Sequence, residues 1–300
     1  MLLRLFLAAM ACLPCAACGP IAAPSVPLAA PAAPLAAPAG IDDHVAMGMP
    51  SKAGEQDKND FLLKKKNFVL SYNNKKGTPN WVSWHLTKAD LGTAPRLDFH
   101  PDADLPAGFK VVTPADYKGG GFDRGHMCPH SDRTATEEMS RETFVMTNMV
   151  PQSPENNQKG WAQLETYCRT LVLKHGKDCY IVAGPTGIGG EGRSGKQITI
   201  GANKKVTVPS HTWKVILVVP AGTTDPAGVT GAKARLIAVM VPNDRTVTND
   251  WAVHRCSVED VEQITGLTFF DKVTDQKFLD KKDEIDAIPI GPPVPLDHGP

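Results

Sequence analysis

The chain has 300 residues, and its 32 lysines and arginines balance 32 aspartates and glutamates to a formal net charge of zero. This length allows one large domain or two small ones, and a hydrophobic fraction of 42% excludes a wholly disordered chain. The balanced charge argues against a protein that coats nucleic acid by bulk positive charge, but it leaves room for a local basic cleft.

The first 18 residues have the layout of a secretory signal peptide, because Arg4 precedes an apolar stretch that ends in small residues. We therefore expect export to the periplasm, the cell envelope or the medium. Cys18 follows two alanines, as in a lipoprotein site, but the usual leucine is missing, so a lipid anchor is the less favoured alternative. No later apolar run reaches the roughly 20 residues that a membrane-spanning helix needs.

Composition divides the rest of the chain into three parts. Residues 19–40 form a Pro/Ala-rich, low-complexity segment that favours an extended linker over a packed core. Residues 288–300 are again rich in proline and are predicted to form a tail outside the core. One globular domain is therefore predicted over residues 41–287.

Within this domain, residues 68–72 and 81–86 read as strands joined by a turn-forming segment. Further strands are predicted from Cys179 onward, each bounded by glycine or proline. They cover residues 179–185, 197–201, 205–209, 212–220 and 235–242.

Helices are fewer. Ser153-Pro154-Glu155 supplies a cap, a proline at the first position and an acidic first turn, and an apolar stripe at helical spacing then runs to Gly176. Residues 257–266 repeat this logic, with Ser257 as the cap and Gly266 as the stop. With no regular alternation of strands and helices, the pattern predicts an α+β fold with a mostly antiparallel central sheet and flanking helices.

Two glycine-rich motifs between residues 187 and 196 approach the spacing of a dinucleotide site and of a phosphate-binding loop. Both need a helix next, whereas the following residues read as a strand, and Gln197 stands where the phosphate loop needs serine or threonine. A hairpin loop without a nucleotide cofactor is the better interpretation.

After signal removal four cysteines remain, an even number in an oxidising compartment, which favours disulfides over free buried thiols. The preferred pairing is Cys168 with Cys179, which leaves Cys128 with Cys256, although three connectivities stay open. A zinc site at Cys128 and His130 is disfavoured because no second pair of ligands follows in the domain.

The residues that carry chemistry lie in three segments: DRGHM at 123–127, TN at 147–148, and NQKGWAQLE at 157–165. The histidine suits a general base for water near neutral pH. Asn157 and Glu165 are eight positions apart on the predicted helix, so both side chains can face one side. An amide oxygen and a carboxylate suffice for Mg²⁺, which keeps most of its waters.

Together these motifs resemble the DNA/RNA non-specific endonucleases, the ββα-metal family that includes endonuclease G, over about residues 68–270. The resemblance implies a ββα-metal active-site motif, Mg²⁺ or another divalent cation such as Mn²⁺, DNA and RNA as substrates, and products with 5′-phosphate ends. It implies His126 as the general base, Asn157 as the direct metal ligand, and Glu165 as a ligand through water.

The same resemblance assigns Arg169 and Arg96 to the phosphate, with Arg96 stabilising charge that develops on its oxygens. Arg124 and Asp123 shape the site, and Asn148 supports the region of the histidine. These residues, with His126 and Glu165, form the predicted catalytic set.

Lysines 64–66 and 75–76 extend a phosphate-binding surface in one interpretation and form a solvated face in the other. Two other functions stay open: a degenerate module that binds nucleic acid without cutting it, and a phosphodiesterase for another exported substrate. Competition by bulk DNA distinguishes this phosphodiesterase from a nuclease, because an enzyme for a small substrate should be indifferent to added DNA.

Overall fold

The computed structural model describes residues 41–291. The predicted signal peptide, the linker at 19–40, the lipid site at Cys18 and the tail from residue 292 lie outside the described residues. Among residues 41–291, no helix is long and apolar enough to cross a membrane.

The described chain contains thirteen strands and four α-helices, with short 3₁₀ turns between them. The helices are α1 (Glu137–Thr143), α2 (Trp161–His175), α3 (Val258–Thr265) and α4 (Gln276–Leu279). The strands are β1 (Phe61–Lys64), β2 (Val69–Asn73), β3 (Thr78–Leu86), β4 (Asp123–His126), β5 (Met149–Gln152), β6 (Lys177–Thr186), β7 (Gly190–Gly192), β8 (Gly195–Gln197), β9 (Thr199–Ile200), β10 (Val206–Thr207), β11 (His211–Pro220), β12 (Arg235–Pro242) and β13 (Arg255–Cys256).

Seven strands form the central sheet in the order β1-β2-β3-β6-β11-β12-β13, and every neighbouring pair is antiparallel. Three two-stranded ribbons, β4-β5, β7-β8 and β9-β10, lie outside it. The predicted α+β fold with a mostly antiparallel sheet is therefore confirmed.

Both faces of the sheet are buried, and the alternation of side chains along β11 shows why. Ile216 packs on one face beside Ile181 and Ile237, its partners in the register, whereas Val215 packs on the other face. Successive residues of a strand point to opposite faces, so a strand covered on both sides reads as a continuous apolar run. Helix α2 covers the first face, and α3 with the aromatic segment around Phe269 covers the second.

The helix signals hold in the structure. The apolar stripe of α2 is buried against the sheet, and Gly176 ends the helix in the left-handed conformation. Ser257 and Asp260 form the capping box of α3, and Gly266 terminates it. The glycine-rich segment forms the β7-β8 hairpin followed by β9, as the strand interpretation requires.

The predicted disulfides are absent, because the four cysteines of the described chain are free thiols. Cys128 and Cys256 cannot pair without rearrangement, since they pack into clusters on opposite faces of the sheet. Cys168 and Cys179 are neighbours whose side chains share a hydrogen bond, yet they remain buried thiols. Buried thiols behave as small hydrophobic side chains, which a parity argument from sequence does not detect.

The chain keeps contact with the domain beyond the predicted boundary at residue 287. Asp286 is buried in ion pairs with Arg235 and Arg255, at 2.7 and 3.1 Å. Arg255 also donates to the carbonyl of Ile288, and Ile290 packs against the core. The first residues of the proline-rich tail therefore belong to the domain.

His44 connects the start of the described chain to the sheet as a neutral imidazole. Its side chain is buried, its Nδ1 accepts from the backbone N–H of His85, and its Nε2 donates to the carbonyl of Lys66. Burial, the nearby Arg133 and, more weakly, His85 lower the pKa of His44 to about 3, against a smaller opposing effect of the Lys66 hydrogen bond. Protonation would set an N–H of the ring against the N–H of His85.

We expect His44 to make the fold sensitive to acid. Between pH 6.5 and about 3 the unfolded chain protonates this ring and the folded chain does not, so stability falls as the pH falls. Replacing His44 with asparagine should reduce the slope of unfolding free energy against pH by up to about 1.4 kcal/mol per pH unit. Urea unfolding from pH 6 to 4 measures this, and exposed His175→Asn is the control. An unchanged slope in His44→Asn would contradict the assignment.

Candidate active site

The DRGH motif forms β4, which pairs with β5 so that Gly125 lies opposite Val150 and His126 opposite Met149. A larger residue at position 125 would displace the buried side chain of Gln152, whose amide occupies the space that a Cβ would need. The glycine of the motif therefore allows a close approach inside the hairpin, which brings the histidine to the hairpin's end.

Asn148 fixes the chain just after the histidine. Its Oδ1 accepts from the N–H of Cys128 at 3.0 Å, and its Nδ2 donates to the carbonyls of Cys128 and Thr143 at 2.8 and 2.9 Å. The side chain is fully buried, so its amide is used on backbone groups. Asn148 thus holds the backbone just after His126, which is compatible with the supporting role that the resemblance implies for it.

His126 lies between two phenylalanine rings. The imidazole is 5.0 Å from the Phe144 ring, edge to face, and 5.3 Å from the Phe99 ring. Neither ring nitrogen hydrogen-bonds to another residue of the described chain, and Nε2 is buried without a partner. Burial first, then Arg96, His130 and Arg124, hold the pKa of His126 well below its usual value. The ring is therefore neutral at neutral pH and able to accept a proton.

The same two phenylalanines support two arginines. The guanidinium of Arg124 lies over the Phe99 ring at 4.4 Å, and that of Arg96 over the Phe144 ring at 5.4 Å. Both arginines are exposed, so their N–H groups remain accessible. Aromatic faces attract guanidinium groups without using their hydrogen-bond donors, which stay available for a phosphate.

The helix that carries the remaining residues begins at the predicted place. Ser153 caps it, because its hydroxyl accepts from the N–H of Asn156 at 3.1 Å. Residues Asn156–Gly160 then form a π-helical turn before α2 begins at Trp161. Such turns insert one extra residue into a helix and occur at functional sites.

This turn changes the angle between Asn157 and Glu165. In an uninterrupted α-helix eight positions rotate by about 800°, which leaves the two side chains about 80° apart. One residue absorbed by the π-turn reduces the effective separation to seven positions, about 20° from two full turns. The π-turn therefore brings both oxygen-bearing side chains to one face more closely than the sequence interpretation supposed.

Asn157 is oriented by Asp123 from the neighbouring hairpin. Its Nδ2 donates to Oδ2 of Asp123 at 3.0 Å, and Gln158 donates to the same oxygen at 2.6 Å. The amide oxygen of Asn157 consequently has no hydrogen-bond donor among residues 41–291 and is available as a ligand. A single hard oxygen donor fits Mg²⁺ or Mn²⁺, which retain waters, better than it fits zinc.

Glu165 and Arg169 lie one turn apart on α2, and each forms an ion pair with a residue outside the helix. Oε1 of Glu165 accepts from Nζ of Lys214 at 3.3 Å, and Nη1 of Arg169 donates to Oδ1 of Asp132 at 2.9 Å. Burial raises the pKa of Glu165, while Lys214 and Arg169 act in the opposite direction and Asp132 adds to the rise. Burial lowers the pKa of Arg96, and the charge of Glu165 opposes this shift.

These contacts place His126, Arg96 and Arg124 around the two phenylalanine rings and connect Asn157 to Asp123 of the DRGH motif. The predicted lysine surface needs one correction, because Lys65 is buried and pairs with Asp102 and Asp104, each at 2.6 Å. Asp102 in turn accepts from the hydroxyl of Thr147. Lys65 therefore has a structural role, while Lys64 and Lys66 remain exposed.

Four further residues at this site belong to none of the sequence motifs. Phe99 and Phe144 act through the position of their rings beside His126, which the sequence does not indicate. Asp132 and Lys214 gain meaning only from partners 37 and 49 positions away along the chain. The presence of a lysine within an apolar strand is the sequence feature that could have drawn attention to Lys214.

Comparison with known proteins gives a consistent picture. The model of the family described as DNA/RNA non-specific endonuclease matches residues 48–276. A protein of Nostoc sp. named Nuclease is 46% identical over 234 residues, which cover 77% of this chain and 81% of that protein. The mitochondrial Nuclease EXOG of Xenopus laevis is 36% identical over 229 residues, 74% of this chain and 61% of that protein.

A solved structure of the EndoG/EndoGI complex contains a chain with a similar fold. The TM-score is 0.64 and the sequence identity 27%, with 80% of this chain and 94% of that chain covered. The similarity therefore extends over the sheet and the site and is not confined to one motif.

We expect the imidazole of His126 to stay neutral well below pH 6.5, because burial and three cationic or titratable neighbours oppose its protonation. Replacing Arg96 with methionine should raise this pKa, since one of the opposing charges is removed. Nitrogen-15 NMR titration of labelled histidine measures both values without any need for turnover. A pKa near 6.5 in the unmodified protein would contradict this account.

Proposed function

Because the chain belongs to the DNA/RNA non-specific endonuclease family and is a nuclease that hydrolyses phosphodiester bonds, we propose that it is a divalent-metal-dependent endonuclease with His126 as its general base. DNA and RNA are its nucleic acid substrates. Alternative substrates outside nucleic acid have no support from an observation in the structure.

One observation carries the assignment of the base. A histidine with no hydrogen-bond partner in the described chain is held neutral between two arginines whose donors remain accessible. A general base has to be unprotonated at working pH, and a phosphate substrate needs cations beside it. Both requirements are met by the same group of side chains.

The roles of the protein side chains follow from this arrangement. His126 takes a proton from the attacking water as the water approaches the phosphorus. Arg96 and Arg124 stabilise the negative charge that grows on the phosphoryl oxygens, which is most effective where donors are already fixed in place. Arg169, held by Asp132, is positioned to approach the same phosphate from α2.

A divalent cation would be held directly by the amide oxygen of Asn157 and through water by Glu165. When bound, it would polarise the phosphate and stabilise the leaving 3′-oxygen. Asp123 keeps the amide oxygen of Asn157 outward by accepting from its NH₂ group. Oxygen ligands of this kind suit both Mg²⁺ and Mn²⁺.

Weak sequence preference follows from the types of side chain. Arginine donors and a cation contact phosphate oxygens, which are the same at every nucleotide. No element of this set reads the edge of a base. We therefore propose cleavage with little dependence on sequence.

The direct test is degradation of closed circular DNA and of RNA by the purified protein with Mg²⁺, with Mn²⁺ and with a chelator. His126→Ala should lower turnover by about a hundred- to ten-thousand-fold, since general-base catalysis contributes that much. Nucleic acid binding should remain, because the arginines are intact. Asn157→Ala should shift the metal concentration needed for half-maximal rate.

Exposed His175→Ala is the matched control, since it removes a histidine far along α2 from the site. Normal cleavage by His126→Ala would overturn the assigned base. Folded wild type that binds DNA but never cuts it would instead favour the degenerate binding module, and indifference to bulk DNA would favour a small-substrate phosphodiesterase.

We propose further that the protein is exported, on the pattern of its first 18 residues. Expression in a bacterial host followed by N-terminal sequencing of the mature protein tests this proposal. A mature chain that begins after residue 18 and lies outside the cytoplasm is the expected result. A lipid-modified Cys18 would point to membrane attachment, and an uncut chain in the cytoplasm would contradict export.

A further inference from the structure

Lys214 occupies an unusual position for a lysine. It lies within β11, an interior strand of the seven-stranded sheet, with only 1% of its side chain exposed. Its neighbour on the same face, Ile216, belongs to the apolar core. Lysine is almost never fully buried unless it is paired, because an unpaired buried charge is costly.

The ammonium group is enclosed by two indole rings and one carboxylate. Nζ is 4.1 Å from the centre of the Trp161 ring, 5.6 Å from that of Trp84, and 3.3 Å from Oε1 of Glu165. Among residues 41–291, Glu165 is the one acidic side chain within ion-pair distance of Lys214. The faces of the two indole rings attract the positive charge of the ammonium group, whereas only the carboxylate accepts a hydrogen bond from that group.

This pairing uses one oxygen of Glu165 and leaves the other free. Oε2 accepts no hydrogen bond from any residue in the range 41–291. The carboxylate is 13% exposed, so it is largely held inside the protein by the lysine below it. A carboxylate fixed at one oxygen presents the second oxygen in a defined direction.

Trp84 connects this pair to the next one along α2. Its ring lies under Lys214, and its Nε1 donates at 3.0 Å to Oδ2 of Asp132, whose other oxygen holds Arg169. The two α2 side chains of the site are therefore both supported from the sheet through one tryptophan.

We propose that Lys214 is a positioning residue that fixes the Glu165 carboxylate so that its free oxygen faces the hydration shell of the divalent cation. This inference rests on the proposed metal-dependent function. Lys214 contacts neither substrate nor cation in this account and acts through Glu165.

The direction in which cation affinity changes when Lys214 is replaced distinguishes a positioning role from simple electrostatic repulsion. Removal of a nearby positive charge strengthens cation binding if Coulomb repulsion alone matters. Loss of an outer partner that orients a ligand weakens it, commonly by about ten- to a hundredfold. Lys214→Met, which keeps the length of the side chain and removes the charge, should therefore weaken Mn²⁺ binding.

The experiment titrates Mn²⁺ into the purified full-length protein without substrate and follows the free ion by electron paramagnetic resonance. Lys214→Met should raise the dissociation constant about ten- to a hundredfold, and Lys214→Arg, which keeps the charge, should raise it less. Ile216→Val, on the same face of the same strand, is the control for core damage and should leave Mn²⁺ binding unchanged.

A double substitution tests whether the effect passes through Glu165. Glu165→Gln alone should weaken Mn²⁺ binding, and Glu165→Gln with Lys214→Met should bind no more weakly than Glu165→Gln alone. Glu165→Gln can still be compared with the double variant if Lys214→Met alone does not fold, because removing both charges leaves no unpaired charge in the core.

Wild-type or tighter Mn²⁺ binding by folded Lys214→Met would overturn the inference, as would a double variant that binds more weakly than Glu165→Gln. These results differ from failure of the proposed function itself. If the proposed function fails, neither the wild type nor a variant at position 214 binds Mn²⁺ or cleaves nucleic acid.

Discussion

The packing of α2 on the first face of the central sheet is the contact on which the site depends. Trp161, Leu164 and Cys168 bury one side of the helix against β3, β6 and β11. Glu165 and Arg169 lie on the flank of the same helix, and this packing fixes them together with their ion pairs to Lys214 and Asp132. Apolar burial of this kind supplies the stability, at roughly 25 cal/mol per Å², that ion pairs near the surface do not.

The second half of the site comes from the β4-β5 ribbon, and hydrogen bonds join it to the start of the helix. Asp123 on β4 accepts from the amide of Asn157 at the start of the helix, across 34 positions of sequence. Asn148 fixes the backbone just after β4, because its side-chain oxygen accepts a hydrogen bond from the N–H of Cys128. The hydrogen bonds of Asn157 and Gln158 to Asp123 therefore fix the start of the helix relative to the strand that carries His126.

Much of this architecture could be predicted from sequence where the cause is local. The cap at Ser153 and the apolar stripe of α2 follow from nearest neighbours in the chain, and the structure has both. The π-turn could not be predicted, because it leaves the apolar period of the following helix intact. Lys65 looked like part of a solvated run until Asp102, 37 positions away, provided its partner. The pairing of Cys128 with Cys256 failed for a related reason, since a count of thiols does not say which face of the sheet each occupies.

The charges of the site explain how a chain with zero net charge can act on a polyanion. Arg96 and Arg124 are held by aromatic faces and not by carboxylates, so their charge is directed at a ligand and not cancelled within the protein. The acidic groups nearby are used differently, because Asp132 and Asp123 orient an arginine and an amide from below. The same arginines that attract phosphate also disfavour protonation of His126. The arginines therefore contribute both to substrate attraction and, after burial, to the neutrality of the base, and a change that removes one of their charges weakens the first and raises the pKa of His126.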